Sequence, residues 1–166
     1  MKFDISSINK VSGDSMEIRY QGPLPQDDFF DTISVKDDLL LEGTLTNYDG
    51  TILLDGTLKL SYIGQCARCL KPVTRSLNLK LTEKFSTGEI DEETYIYEGN
   101  FVDLTKAVND NIIIALPIRL LCIDQCKGLC PVCGKNRNED VCHCKESHEE
   151  TPSENQFGIL KNYFSN

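Results

Sequence analysis

Residues 39–85 read LLLEGTLTNYDGTILLDGTLKLSYIGQCARCLKPVTRSLNLKLTEKF, and the reading of this stretch decides the fold. An apolar run from Leu39 to Thr46 meets Asn47-Tyr48-Asp49-Gly50, and a second run starts at Thr51. Asp-Gly between two apolar runs is a favoured hairpin turn, because both residues tolerate positive φ. Leu58, Leu60 and Ile63, set against Thr57, Lys59 and Ser61, predict a half-buried antiparallel strand. Val73, Leu77, Leu79, Leu81 and Phe85 alternate in the same way and predict a third long strand from Val73 to Phe85. Cys66-Ala67-Arg68-Cys69 falls between the second and third strands, so a C-x2-C pair caps a second hairpin.

Towards the amino terminus, Asp4–Ile8 and Met16–Tyr20 are short candidate strands, separated from the hairpin by the breaker Gly22-Pro23-Leu24-Pro25. Towards the carboxyl terminus, Gly88–Glu93 reads as an acidic solvated linker. Asp103 is a candidate N-cap for a helix from Leu104 to Ala115 that carries Leu104, Ala107, Val108, Ile112 and Ala115 on one stripe. Ile112-Ile113-Ile114 also suits a strand, and Pro117 ends the element either way. Phe157, Leu160, Tyr163 and Phe164 share one side of a short helix expected near the terminus, weakened by Gly158. The expected class is therefore α+β: an antiparallel β-sheet or partly open barrel with a covering helix and a C-terminal zinc-knuckle extension. Residues 1–121 are expected to form the sheet-and-helix core, 122–148 a cysteine-rich zinc-binding segment, and 149–166 a tail with the short helix.

The chain of 166 residues is 40% hydrophobic and 26% charged, which suits a folded domain and excludes a disordered tail. No run approaches the roughly 18 apolar residues of a membrane span. Met1–Ile8 places an aspartate and two serines where a signal peptide needs an unbroken apolar core, so a cytoplasmic location is expected. Seventeen Lys and Arg against twenty-six Asp and Glu give a net charge of −9, the wrong sign for bulk attraction to RNA.

Eight cysteines stand at 66, 69, 122, 126, 130, 133, 142 and 144. In a reducing compartment such clustering points to metal rather than to disulfides. Zinc takes four thiolates at tetrahedral corners, and a tight C-x2-C turn delivers two of them with amides aimed at the sulfurs. Cys130-Pro131-Val132-Cys133-Gly134-Lys135 is a strong match, with a proline stiffening the turn and a glycine free to adopt positive φ after it. Proximity pairs Cys130 and Cys133 with Cys142 and Cys144, leaving Cys66 and Cys69 for Cys122 and Cys126. Cys126 and Cys130 can trade places in this partition, and His143 can replace a cysteine; His148, in a glutamate-rich run, has no role.

Two full sets of four thiolates leave no position for water, so two structural zinc ions and no catalysis are expected. The cysteine spacing matches no common iron–sulfur cluster. A nucleobase deaminase needs H-x-E before its P-C-x2-C, whereas here the H-x-E from His148 to Glu150 follows the cysteines. A thioredoxin-like reading of Cys66–Cys69 lacks the strand-to-helix context. Eight thiolates and two zinc ions would lower the formal charge of −9 to about −13. Arg68, Lys71 and Arg75, or Lys127, Lys135, Arg137 and Lys145, can make a local phosphate-binding patch or offset thiolate charge. The acidic remainder suits a basic protein partner.

Cys66-Ala67-Arg68-Cys69-Leu70, Ala115-Leu116-Pro117-Ile118, the run from Cys126 to Asn138 and Cys142-His143-Cys144 together closely resemble one family. It is the bacterial and plastid family once catalogued as DUF177, the large ribosomal RNA subunit accumulation proteins, or YceD. The resemblance reaches the Phe157-Gly158-Ile159-Leu160 tail. It implies a non-enzymatic factor for 23S ribosomal RNA accumulation or processing and large-subunit assembly. It also implies the eight cysteines as ligands, with Arg68, Lys127, Lys135 and Arg137 as basic groups facing RNA or a partner, and Asn136 and Asn138 as family positions. The expected partners are a large-subunit rRNA precursor, a basic large-subunit ribosomal protein, or both, with no membrane and no small-molecule substrate. The rivals are a zinc-ribbon adaptor that binds a basic protein, and a cysteine-dependent redox enzyme.

Overall fold

The computed structural model describes residues 1–24, 33–88 and 93–144. Its contacts divide the chain into a unit spanning Met1–Cys126 and a second that starts at Lys127. Cys122 and Cys126, expected at the head of the cysteine-rich segment, belong to the first unit. The expected tail at 149–166 with its aromatic helix, His148, Lys145 and most of the acidic linker lie outside the described residues.

The first unit is built on the predicted hairpins. Strand β1 spans Lys2–Asp4, β2 Ser15–Gly22, β3 Ile33–Val35, β4 Leu39–Tyr48, β5 Thr51–Gln65, β6 Pro72–Ser86, β7 Thr94–Ile96 and β8 Phe101–Asp103, and helix α1 spans Thr105–Ala115. One sheet runs in the order β2-β4-β5-β6-β7, with β3 paired to the far end of β5 beyond β4. All these pairings are antiparallel except the three-residue match of β6 with β7. The short β1 pairs with β8 in a separate two-stranded sheet. The class is thus mostly β with one short helix, a form of the α+β expectation, and the sheet curls into a half-barrel.

The curl has a local cause. The cross-strand row Ile18–Gly43–Gly56–Leu81 crosses β2, β4, β5 and β6 with two glycines at its centre. A Cβ on Gly56 would lie 2.7 Å from the Glu42 carbonyl oxygen and 3.1 Å from the Gly43 Cα, so only glycine permits this approach of the two strands. Asp49 and Gly50, at φ 52° and 89°, make the predicted turn.

The apolar side of β5 carries Ile52, Leu54, Leu58, Leu60 and Tyr62, all buried. Tyr62 rather than Ile63 continues the phase, because β5 keeps unbroken register with β6 to Gln65, and a period of two then assigns the even positions to the core. Leu81 and Phe85 of β6 join this core with Leu77 and Leu79 packed against it, and Val73, on the same face opposite Gly64, is buried outside the cluster. Helix α1 lays Ala107, Val108 and Ile112 on this core, together with Leu104. The cap position is Leu104, one residue after the expected Asp103; the Asp103 carboxylate still accepts the Thr105 N–H at 3.0 Å. Burial raises the Asp103 pKa, but bonds from the Thr105 hydroxyl, the Thr105 N–H and the amino terminus outweigh it and hold it at about 2. The isoleucine run is helical, and Leu116 turns extended at ψ 134° because Pro117 follows. The expected strand Asp4–Ile8 forms only as Lys2–Asp4; Ile5 and Ile8 instead enter the core from the turn that follows.

Asn47 is the buried polar tie of this unit. Its Nδ2 donates to the carbonyls of Ile8 at 2.8 Å and Val11 at 3.2 Å, and its Oδ1 accepts the Gly50 N–H at 2.8 Å. One side chain therefore fixes both the β4–β5 turn and the amino-terminal turn.

The second unit, described over 127–144, has only one isolated bridge, Leu129 with Asn136, and no helix or longer strand among the described residues. Gly128 and Gly134, at φ 75° and 71°, shape its turns.

Replacing Asn47 with alanine strands the buried Ile8 carbonyl and releases the Gly50 N–H of the turn to water. It should lower unfolding stability by about 2–4 kcal/mol, measured by urea titration of full-length protein.

Candidate metal centres

The first knuckle is the turn between β5 and β6. Backbone bonds close it: Cys66 N–H to the Lys71 carbonyl at 2.8 Å and Leu70 N–H to the Cys66 carbonyl at 2.9 Å. The second knuckle repeats the pattern, Cys130 N–H to the Lys135 carbonyl at 2.8 Å and Gly134 N–H to the Cys130 carbonyl at 2.9 Å. Both geometries demand positive φ after the second cysteine. Gly134 supplies it freely, whereas Leu70 is held there at φ 60°.

At the first centre, chain reversal at Pro117 brings the segment after α1 to the hairpin tip. Ala67 N–H bonds the Leu120 carbonyl at 2.8 Å, and the Arg75 guanidinium donates to the Leu121 carbonyl at 2.9 Å. The sulfurs of Cys66, Cys69, Cys122 and Cys126 then lie within 4.8 Å of one another, with Cys66–Cys126 at 3.8 Å and Cys69–Cys122 at 3.6 Å. At the second centre, Cys130, Cys133, Cys142 and Cys144 converge within the same limit, with Cys130–Cys142 at 3.3 Å and Cys133–Cys142 at 3.5 Å. These are the two sets that proximity along the sequence suggested. A tetrahedron of thiolates about 2.3 Å from zinc has edges of about 3.8 Å, so the donor sets fit such an ion, while a disulfide would need about 2.0 Å.

The centres differ in exposure. Cys66, Cys69 and Cys126 are buried and Cys122 half-buried, whereas Cys133 is exposed and only Cys130 of its set is buried. In each knuckle the first cysteine is primed as thiolate. Burial raises the Cys66 thiol, but the N–H groups of Arg68, Cys69 and Cys122 aim at its sulfur and bring it down to about 6. The N–H groups of Cys133 and Val132 hold Cys130 at about 6. Burial and the neighbouring sulfurs push Cys122 up to about 12, and the Cys142 and Cys133 sulfurs do the same to Cys144. Four clustered sulfurs cannot all ionise alone; a dication in their midst removes that penalty.

Asn136 and Asn138 hold the second centre's loop. The Asn136 Oδ1 accepts the Asn138 N–H at 3.0 Å and the Asn138 Nδ2 at 2.7 Å, and the Asn138 Oδ1 accepts the Lys127 N–H at 2.8 Å. Of the sequence-selected cations, Arg68, Lys127 and Lys135 are exposed and Arg137 is half-buried; His143 is exposed and outside both clusters. Two features escaped the sequence reading. Arg75 braces the metal-bearing segment rather than facing solvent chemistry alone, and Leu70 occupies a glycine-type conformation that the parallel with Gly134 could have revealed.

Fold and site together define a β-rich protein with two separate four-cysteine knuckle centres suited to structural metal. The chain belongs to the family of the large ribosomal RNA subunit accumulation protein YceD, whose model matches residues 54–163. Its similar relatives include uncharacterized proteins of Mycobacterium bovis and Mycobacterium tuberculosis, each 29% identical over 143 residues, covering 81% of this chain and 69% of theirs. An uncharacterized protein of Mycobacterium leprae is 30% identical over 91 residues, half of this chain and 42% of its own. No solved structure matches.

Metal binding needs thiolates, so protons compete for both centres as pH falls. Chelator-detected release of zinc from loaded protein, titrated from about pH 8 to about pH 4, should show retention at the alkaline end and loss towards the acid end. The exposed second centre should empty at the higher pH of two steps.

Proposed function

We propose that this protein is a non-catalytic factor in large ribosomal subunit biogenesis that supports 23S rRNA accumulation. Family membership carries the reading. The closed donor sets support its non-catalytic part, since four protein sulfurs around each ion leave no place for an activated water. Two structural zinc ions would serve as staples, the first joining the β5–β6 tip to the segment after α1. No helix among the described residues is long and apolar enough to cross a membrane.

The proposed partners are a large-subunit rRNA precursor, a basic large-subunit ribosomal protein, or both. A net charge of −9 favours contact with a basic protein over most of the surface. Arg68, Lys127, Lys135 and Arg137, beside the knuckles, are the proposed local contacts with the partner. The same acidity gives the adaptor reading its one support, and association with polymerase would be its signature.

Depletion in a cell that carries the gene should lower the 23S to 16S ratio and shift sucrose-gradient profiles towards immature large subunits. Tagged protein should sediment with large-subunit precursors. Unchanged 23S levels together with co-purification of polymerase would overturn the reading.

A further inference from the structure

The first knuckle carries a feature that metal binding does not require. Leu70 is 58% exposed at φ 60°, a left-handed backbone region that the leucine Cβ disfavours, although the corresponding residue of the second knuckle is Gly134. A glycine at 70 would make the same turn without strain, and a leucine side chain more than half exposed gains little from burial in return. Strain kept at an exposed position points to a contact made outside the chain.

Other apolar residues gather at the same end of the first unit. Ile123 follows Cys122, whose sulfur lies 3.6 Å from that of Cys69, the residue before Leu70, and Ile123 is 56% exposed. Ile118 is fully exposed and lies two residues before Leu120, whose carbonyl takes the Ala67 N–H at 2.8 Å. Arg68 and Arg119 flank that hydrogen bond in sequence and are both exposed. An otherwise acidic chain thus has aliphatic side chains and arginines together on its first metal knuckle.

We propose that this surface docks a protein segment that presents apolar side chains between carboxylates. Aliphatic contacts need an apolar counterpart, and the two arginines select acidic flanks. RNA fits less well: residues 66–76 and 112–126 contain no Phe, Tyr, Trp or His, so no aromatic ring on these segments can stack on a base. A second copy of this face fits less well too, because it would set arginine against arginine. The proposal reassigns Arg68 from the ribosomal partner to this acidic-flanked segment and leaves Lys127, Lys135 and Arg137 to that partner, so the ribosomal reading can stand where this contact fails.

The test places the photoreactive amino acid benzoylphenylalanine at position 118 of the full-length, zinc-loaded protein in cells, with sequencing of what crosslinks. The expected product is a protein segment with apolar residues flanked by Asp or Glu. Leu70→Gly should cut its yield at least fivefold while raising the unfolding midpoint, and Arg119→Glu should cut it as well. A gain in stability with loss of contact separates docking from a structural role. Crosslinks to RNA, to a basic segment or to a second copy of this chain, no crosslink, or a yield unchanged by Leu70→Gly would each overturn the proposal.

Discussion

Four sulfurs from two distant parts of the chain meet at the tip of the longest hairpin, and the organisation of the first unit depends on that meeting. Cys66 and Cys69 come from the β5–β6 turn, and Cys122 and Cys126 from the segment released by α1 at Pro117. The core itself is supplied by apolar residues of β2, β4, β5, β6 and α1. The path from Leu116 to Cys126 has no helix or strand; the core holds it only where Leu116 and Leu120 pack on it, and the rest is tied by a few bonds, among them Ala67 to Leu120 and Arg75 to Leu121. A structural zinc site contributes roughly 10–16 kcal/mol of apparent binding energy, which exceeds what those bonds supply by several-fold.

The described residues of the second unit rest on the same chemistry. Among residues 127–144 only Gly128 and Cys130 are buried, and the segment is held by the knuckle, the Asn136–Asn138 clamp and the four converging sulfurs. Taken by themselves, the eighteen described residues bury too little apolar surface to offset their chain entropy. The burial contrast between Cys66 and Cys133 then separates a centre set into a core from one open to solvent.

Much of this was legible in the sequence because period-two alternation and C-x2-C spacing are local signals. The hairpin at Asp49-Gly50, the third strand, the stop at Pro117 and the second cysteine set follow from neighbours in the chain, while the first set was reached as the remainder, with Cys126 and Cys130 interchangeable until the fold separated them. The short strands β3, β7 and β8 were not legible and β1 only as the displaced Asp4–Ile8, since three residues carry no period and their pairing is decided by distant partners. The phase slip at Ile63 and the cap at Leu104 reflect the same limit: register set by β6 and by Asp103's place in β8 overrides local pattern. Asn47 read as part of a turn, but its role as a buried tie to Ile8 and Val11 is a tertiary fact. At the sites, the ligand sets were readable, while the strain at Leu70 and the brace from Arg75 required φ angles and long-range contacts.

The central claim is that each set of four sulfurs holds a metal ion with no other donor. Metal content and X-ray absorption on protein purified without added metal test it most directly. The account predicts two zinc ions per chain, each with four sulfur neighbours at about 2.3 Å and no nitrogen or oxygen neighbour. Folded protein with eight reactive thiols and no metal, or zinc with an oxygen in its coordination sphere, would contradict it.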